Sequence, residues 1–380
     1  MQYLSDFRED SSKPEMFPLK LLLCETCNLA QLDTTVDREL MYHDGYGYRS
    51  GVNEIIVNNL TRIVNLALAI NPHPTSWLDI ACNDGTLLSL VPKEINRVGV
   101  DPVRKFKAES NKHADLIISD FFPSSETDNL NEFDVITSIS MFYDIDDPNS
   151  FVQNVKSKLS KNGIWIVQQN YLLSMLMNNS FDNICHEHIE YYSLKAMNYL
   201  IDANGLEIFD VKLDEINGGS VITLIAHKGS YPISRTVAQQ LQVEENYGLS
   251  SDQPFLDFKS RIDSIKSRLL DILQDLKCEK KRVQIYGAST RGATIWQYVG
   301  VDEQLVEHAV ERQQEKIGKY FSAVGVKIIG ENQMRNDAPD YLLVGPWFLK
   351  DGFIEREREF LENGGKFIFP LPEVQIIQSN

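Results

Sequence analysis

Six residues able to bind a polar ligand, Asp79, Cys82, Asn83, Asp84, Gly85 and Thr86, crowd into the stretch DIACNDGT (79–86), at the end of the apolar run SWLDIA (76–81). A buried strand that closes on a polar glycine turn and runs into a helix is where open α/β sheets bind ligands, outside the carboxyl ends of their strands. Two further strand ends repeat the theme. RVGVD closes on Asp101, followed by Pro102, where a carboxylate can accept from both hydroxyls of a ribose. LIISD closes on Asp120, followed by Phe121, a pair suited to an exocyclic amine and an adenine face. The first turn departs from G-x-G-x-x-G, because Asp79, Ala81 and Cys82 stand where a phosphate-cradling loop wants glycines. Asp79 and Asp84 would repel a pyrophosphate and attract a sulfonium or ammonium group in a partly desolvated cleft. The loop therefore prefers S-adenosylmethionine to a nicotinamide dinucleotide. The bland alternative is that Asn83-Asp84-Gly85 is only a turn with a helix cap.

Two other segments concentrate chemistry. CHEHIEYYS (185–193) sets Cys185, His186, Glu187 and His188 side by side. Two histidines two residues apart share a face only on a strand, and no distant third ligand is evident, so proton transfer or ordinary polar contacts fit better than a metal. YGASTRG (286–292) follows the strand RVQI and opens a helix, offering Tyr286, Gly287, Ala288, Ser289, Arg291 and Gly292. Such a turn can hold a diphosphate on its free amides, with Arg291 adding charge. Lys316 and Lys319 would assist the phosphates, Glu311, at the end of HAVER, stands where an acid can close a strand beside a ribose, or the glycines serve only helix–sheet packing.

The elements that must position these groups are legible in the pattern. VNEIIVNNLTRIVNLALAI (52–70) has helical apolar spacing and stops at NPHPT. Short apolar runs at 76–81, 97–101, 116–120, 134–140 and 163–169 then alternate with helical segments, which predicts a doubly wound, mostly parallel sheet. EIFDVKL (207–213) and SVITLIAHK (220–228) read as a closing antiparallel pair. Phe255, Phe258, Ile262, Ile265, Leu269, Ile272 and Leu276 predict one helix with a single apolar seam. The pattern restarts at 280–299, with strand candidates at 308–312, 339–345 and 366–370. Four regions follow: a small N-terminal piece over 1–50, a cofactor-binding domain over 51–230, a linker helix over 231–280, and a second Rossmann-like domain over 281–380.

A net charge of −17 over 380 residues argues against nucleic acid and against an anionic membrane surface. The longest apolar runs fall far short of a membrane span. The N-terminus MQYLSDFRED has neither the cationic flank nor the apolar stretch of a signal peptide, and five cysteines at irregular spacing suit a reduced cytoplasmic location.

CETCNLAQL (24–32), YGYRSG (46–51), DIACNDGTLL (79–88), FDNICHEHIEYYSL (181–194), NGGS (217–220), YGASTRG (286–292) and FPLPE (369–373) together resemble the sugar C-methyltransferases of deoxysugar biosynthesis, over nearly the whole chain. The resemblance implies a class I methyltransferase domain, a C-terminal Rossmann-like domain that contacts a nucleotide-sugar, and methyl transfer to the carbon beside the ketone of a nucleotide-linked keto-deoxysugar. It carries the active-site roles onto Glu187 and His188, and the family's active-site tyrosine onto Tyr48. A His or Glu suits removal of the α-proton and a Tyr or His suits the enolate oxygen; the expected division is His188 as base, Glu187 orienting it or holding a sugar hydroxyl, and Tyr48 polarising the carbonyl oxygen. Asp144 stands where the family commonly has a proton-transferring histidine. The family's zinc region uses two C-x-x-C pairs, whereas this sequence carries one, Cys24 and Cys27, which are half of a tetrahedral site or two semi-buried thiols. Transfer to oxygen or nitrogen, an NAD-dependent nucleotide-sugar oxidoreductase, and a binding protein without catalysis are the rival readings. Monomer and homodimer both remain open.

Overall fold

A computed structural model describes residues 2–4, 7–41 and 49–379. The first of two large sheets has seven strands: Ser76–Ile80 (β1), Asn96–Val100 (β2), Leu116–Ile118 (β3), Phe133–Ile139 (β4), Leu159–Asn170 (β5), Leu206–Asp214 (β6) and Ser220–His227 (β7). Their order is 3-2-1-4-5-7-6. The first five run parallel, and β7 inserts antiparallel between β5 and β6. The predicted doubly wound sheet with a closing antiparallel pair is therefore present. β1 and β5 are covered on both faces, with Trp77, Leu78 and Ile80, and Ile164 through Val167, buried, which explains why they read as unbroken apolar runs. Helix Glu54–Ile70 (α1) starts at Asn53, whose side chain accepts from the Ile55 amide at 3.0 Å, and buries Leu60, Ile63, Val64 and Ala67 against the sheet. Helix Thr86–Leu90 (α2) follows the first turn.

Helix Gln253–Cys278 (α3) crosses to the second unit. Its buried seam is Phe258, Ile262, Ile265, Leu269, Leu273 and Leu276. Leu273 replaces the predicted Ile272, since 3.6 residues per turn carries a strict three-four pattern off the axis after four turns. The second sheet is built on parallel strands Val283–Tyr286 (β8), Ala309–Glu311 (β9), Val326–Gly330 (β10), Tyr341–Val344 (β11) and Lys366–Phe369 (β12), in the order 10-9-8-11-12. β10 had no counterpart among the predicted strands. Helix Thr290–Val299 (α4) follows β8.

The N-terminal region serves both halves. Phe7–Arg8 pairs with Tyr320–Phe321 at the edge of the second sheet. The hairpin Leu21–Leu23/Ala30–Leu32 takes Glu190–Tyr191 as its third strand, just past His188. Among the described residues no helix is long and apolar enough to cross a membrane.

Candidate active site

A cavity of about 780 Å³ opens over the carboxyl ends of β1 to β4. Of the ten predicted cofactor residues, Asp79, Cys82, Asn83, Asp101, Pro102, Asp120 and Phe121 line it, whereas Asp84, Gly85 and Thr86 do not. The lining carries seven carboxylates, those of Asp37, Asp79, Asp101, Asp120, Asp144, Asp146 and Asp147, and among the described residues no Lys, Arg or His. Such a wall concentrates cations.

The first turn is wound through the left-handed region at Ala81 (φ 61°), Asn83 (φ 49°) and Gly85 (φ 81°). Asp101 fixes it: Oδ2 accepts from the Asn83 amide at 2.8 Å and Oδ1 from the Val103 amide at 2.9 Å. Asp79 accepts from Thr137 Oγ1 at 2.7 Å, with only 3% of its surface exposed. Burial pushes the Asp79 carboxyl up to about 7, with the Asp101 charge adding to it, and burial pushes Asp101 up to about 6. Both sit in a site that favours a cationic partner. Gly99 lets β2 approach, since a Cβ there would stand 2.7 Å from Cys82 Sγ.

Asp84 departs from the cofactor expectation. It accepts from the Gly51 amide at 3.0 Å and from Thr86 Oγ1 at 2.5 Å, so it closes the head of α2 and ties in residues 49–51. Asn83 accepts from the Ser50 amide at 3.1 Å, which brings Ser50 to the cavity.

The far wall is the loop after β4. Ser140 (φ 55°) donates its amide to Gln168 O at 2.7 Å, and Met141, Asp144, Ile145, Asp146 and Asp147 follow along the cavity. Glu187 and His188 are not in this lining. They lie behind it: the Ile189 amide donates to Tyr143 O at 3.0 Å, and the His188 ring packs on Tyr143 with centroids 4.3 Å apart. His188 Nδ1 lies 2.9 Å from the Asn183 carbonyl. A carbonyl only accepts, so Nδ1 carries the proton and Nε2 is left with its lone pair. Burial pushes the imidazole down to about 3, helped by the Arg291 charge. Burial raises Glu187 and holds the Cys185 thiol protonated. His186 faces the Phe17 carbonyl at 3.4 Å, on the side of the N-terminal strands. Tyr48 lies outside the described residues.

The second glycine turn has most of its polar side chains engaged. Gly287 (φ 92°) admits Pro346, whose Cδ would be 2.5 Å from a Cβ, and Ser289 Oγ caps α4 by accepting from the Gly292 amide at 3.0 Å. The Tyr286 hydroxyl stands 2.8 Å from Glu357 and 2.9 Å from Glu331 and donates to that pair of carboxylates. Lys316 donates to Ala288 O at 3.0 Å and pairs with Glu311 at 3.5 Å. Arg291, expected to face a phosphate, instead reaches the first domain, giving Nε to Asp182 at 2.8 Å and Nη1 to Asn217 O at 2.6 Å. Cys24 and Cys27 sit at the hairpin turn, and among the described residues no cluster of three or more His, Cys, Asp or Glu could hold a metal. Two thiols alone do not complete a zinc site.

Sequence reasoning missed part of the cavity: Thr35, Val36 and Asp37 from the N-terminal region, Asn59 and Leu60 from α1, and Ile216 and Asn217 beside β7. Only the NGGS motif signalled any of these.

A methyltransferase-domain family model matches residues 52–211, and the model of the C-methyltransferase C-terminal domain matches 215–372. The C-methyltransferase NovU of Streptomyces niveus is 26% identical over 379 residues, covering 98% of this chain and 90% of its own. Among solved structures, an S-adenosylmethionine-dependent methyltransferase from Clostridium acetobutylicum is 14% identical, covers 46% of this chain and 92% of its own, and superposes with a TM-score of 0.37. The N-methyltransferase NodS from Bradyrhizobium japonicum is 11% identical, with coverages of 46% and 98% and a TM-score of 0.37. Strand order 3-2-1-4-5-7-6, acids at the first strand ends and the two family models together identify the chain as a class I S-adenosylmethionine-dependent methyltransferase, similar over nearly its whole length to a C-methyltransferase.

Proposed function

We propose that the enzyme methylates carbon on a nucleotide-linked keto-deoxysugar, at the position beside the ketone, by way of an enolate. The observation that carries this reading is the pairing of a cation-attracting cavity with a neutral histidine behind its far wall. Transfer to oxygen or nitrogen does not call for removal of a carbon-bound proton; transfer to a ketone's α-carbon does. His188, its Nδ1 donating to Asn183 O, keeps the Nε2 lone pair that such a step needs, although burial holds the pKa of the imidazole well below the pH at which a general base works best. Glu187 orients it or takes a sugar hydroxyl, and Tyr48 polarises the carbonyl oxygen. Asp144, on the cavity wall itself, would take part in passing that proton on.

The residues present fit S-adenosylmethionine. Asp79, Asn83, Asp101, Asp120 and Phe121 would hold it, and when bound it supplies an electrophilic methyl group on a positive sulfur. The second glycine turn remains the candidate for the nucleotide diphosphate, through main-chain donors at the head of α4, since Arg291 and Lys316 are already paired. Zinc takes no part in this scheme.

Incubation of the enzyme with nucleotide-linked 4-keto-6-deoxyhexoses in deuterium oxide tests the proposal. Deuterium should wash into the carbon beside the ketone, and addition of S-adenosylmethionine should place the methyl on that carbon. A product methylated on oxygen or nitrogen, with no wash-in, overturns it.

A further inference from the structure

We infer that Arg291, reaching across from the C-terminal domain, is a positioning residue for His188: it secures the turn whose carbonyl takes the imidazole's Nδ1 proton. The inference rests on the function proposed above for His188 and extends it to a residue that touches neither the imidazole nor the cavity.

The turn is the 3-10 segment Phe181–Asn183. At its end the Asn183 carbonyl accepts from His188 Nδ1 at 2.9 Å and from the Tyr191 hydroxyl at 3.3 Å, and the Asn183 side chain accepts from Asn170 at 2.8 Å. The rest of the turn is fastened to the other domain. Asp182, with no exposed surface, accepts from Arg291 Nε at 2.8 Å and Trp347 Nε1 at 3.0 Å, and Arg291 Nη2 stands 2.7 Å away. Phe181 packs on Tyr298 of α4, with centroids 5.1 Å apart. Arg291 lies over the Phe348 ring at 4.5 Å and donates to the carbonyl of Asn217, which lines the cavity. One guanidinium thus joins the second glycine turn, the cavity rim and the support of the base.

Stability is a poor reason for such a pair. A buried ion pair is on balance no better than apolar residues of the same volume, because desolvation offsets the attraction. Orientation is a better one. If the turn slipped, the Asn183 carbonyl would release Nδ1, and the proton could move to Nε2, which removes the lone pair that accepts from carbon.

Every group around the ring bears on its titration. Tyr143 packs against it with the two rings tilted by 60°. Asn170, Tyr171, Glu190 and Tyr191 share the small space it lines. Cys185 and Glu187 flank it in sequence, Asp144 follows Tyr143, and the Arg291–Asp182 pair lies beyond Asn183. Arg291 is the cation of that set, and its charge disfavours the imidazolium as well.

The test uses the full chain with labelled histidine. His188→Gln assigns the His188 signal by its loss, and imidazole nitrogen shifts then report tautomer and midpoint directly, without substrate. In the wild type His188 should remain the neutral Nδ1–H tautomer to below about pH 5. Arg291→Gln should raise the midpoint by about one unit or more and mix the tautomers, while Arg291→Lys restores part of the effect. On the proposed acceptor, kcat should fall roughly 10- to 100-fold with little change in KM. Trp347→Phe, which removes only the N–H to Asp182, should shift both readouts less in the same direction and serves if Arg291→Gln does not fold. A variant that binds S-adenosylhomocysteine like the wild type and leaves tautomer and midpoint unchanged overturns the inference. Failure of the wild type to exchange or methylate any keto-sugar nucleotide counts against the proposed function instead, because the nitrogen shifts do not depend on it.

Discussion

Replacement of Asp79 by Asn should stabilise the ligand-free protein and weaken its cofactor. Asp79 is 3% exposed and titrates near 7, against an ordinary value of 3.8, chiefly because burial disfavours its charge. A carboxyl raised on folding contributes stability that is fully present below about pH 4 and is lost as pH rises toward 7. At roughly 1.4 kcal/mol per unit, the full loss by pH 8 is on the order of 4 kcal/mol, and about 2–3 kcal/mol of it falls between pH 5 and 7. The Asp79→Asn side chain would keep the acceptor that Thr137 Oγ1 reaches at 2.7 Å, so the substitution removes charge and little else. The expected result is a melting temperature above wild type by several degrees at pH 8, with the advantage shrinking toward pH 5. S-adenosylmethionine should protect the wild type more as pH rises through 6 to 8 and protect the variant less at every pH. Thermal unfolding at four pH values, with and without ligand, gives both slopes. A variant destabilised equally at pH 5 and pH 8 would mean that the ionised carboxylate is not strained in the empty site, and the reasoning fails.

Gly99→Ala should destabilise by about 1–3 kcal/mol, because its Cβ would meet Cys82 Sγ and Ile117 Cδ1, each at 2.7 Å. Cofactor affinity should fall with it, since Cys82 lines the cavity, and adding Cys82→Ala should restore part of both in denaturation and binding titrations. Leu269→Ala, at a fully buried position of α3, should lose about 2–5 kcal/mol in denaturant unfolding and leave the dissociation constant for S-adenosylhomocysteine unchanged.

What the sequence made legible was local. β1, β4 and the second half of β5 announced themselves because strands buried on both faces must be apolar throughout, while β2 and the edge strand β3 were legible from short apolar runs that close on the acids Asp101 and Asp120. β10 escaped because VKIIG follows the turn-rich GKYFSAVG and reads as more of the same loop. Ile272 continues a strict three-four alternation, whereas the 3.6-residue helix has by then carried the buried seam on by one position to Leu273. Arg291 was the largest departure. A cation beside a glycine turn reads as an anion binder when only its own turn is in view; its partner, Asp182, is 109 residues away in sequence. Thr35 to Asp37 and Asn217 reach the cavity through tertiary contacts that no local pattern encodes.

The charge of the cavity constrains how the proposed acceptor can lie. Seven carboxylates and, among the described residues, no cation line it, so a nucleotide diphosphate drawn inside would meet repulsion with nothing to offset it. Only the sugar ring of such a substrate suits the interior, and the diphosphate must remain outside. The N-terminal region, on one side, adds Asp37 to the lining and, among the described residues, presents no cation there. Asn217 also lines the cavity, and its carbonyl holds Arg291 and, through Arg291, the second glycine turn. The arrangement therefore favours a substrate that spans the two domains, sugar toward Asp144 and nucleotide toward α4. On the proposed reading Arg291 steadies the turn behind His188 and does not itself hold the nucleotide, so a correctly seated C-terminal domain becomes a condition for keeping the proposed base in its reactive tautomer.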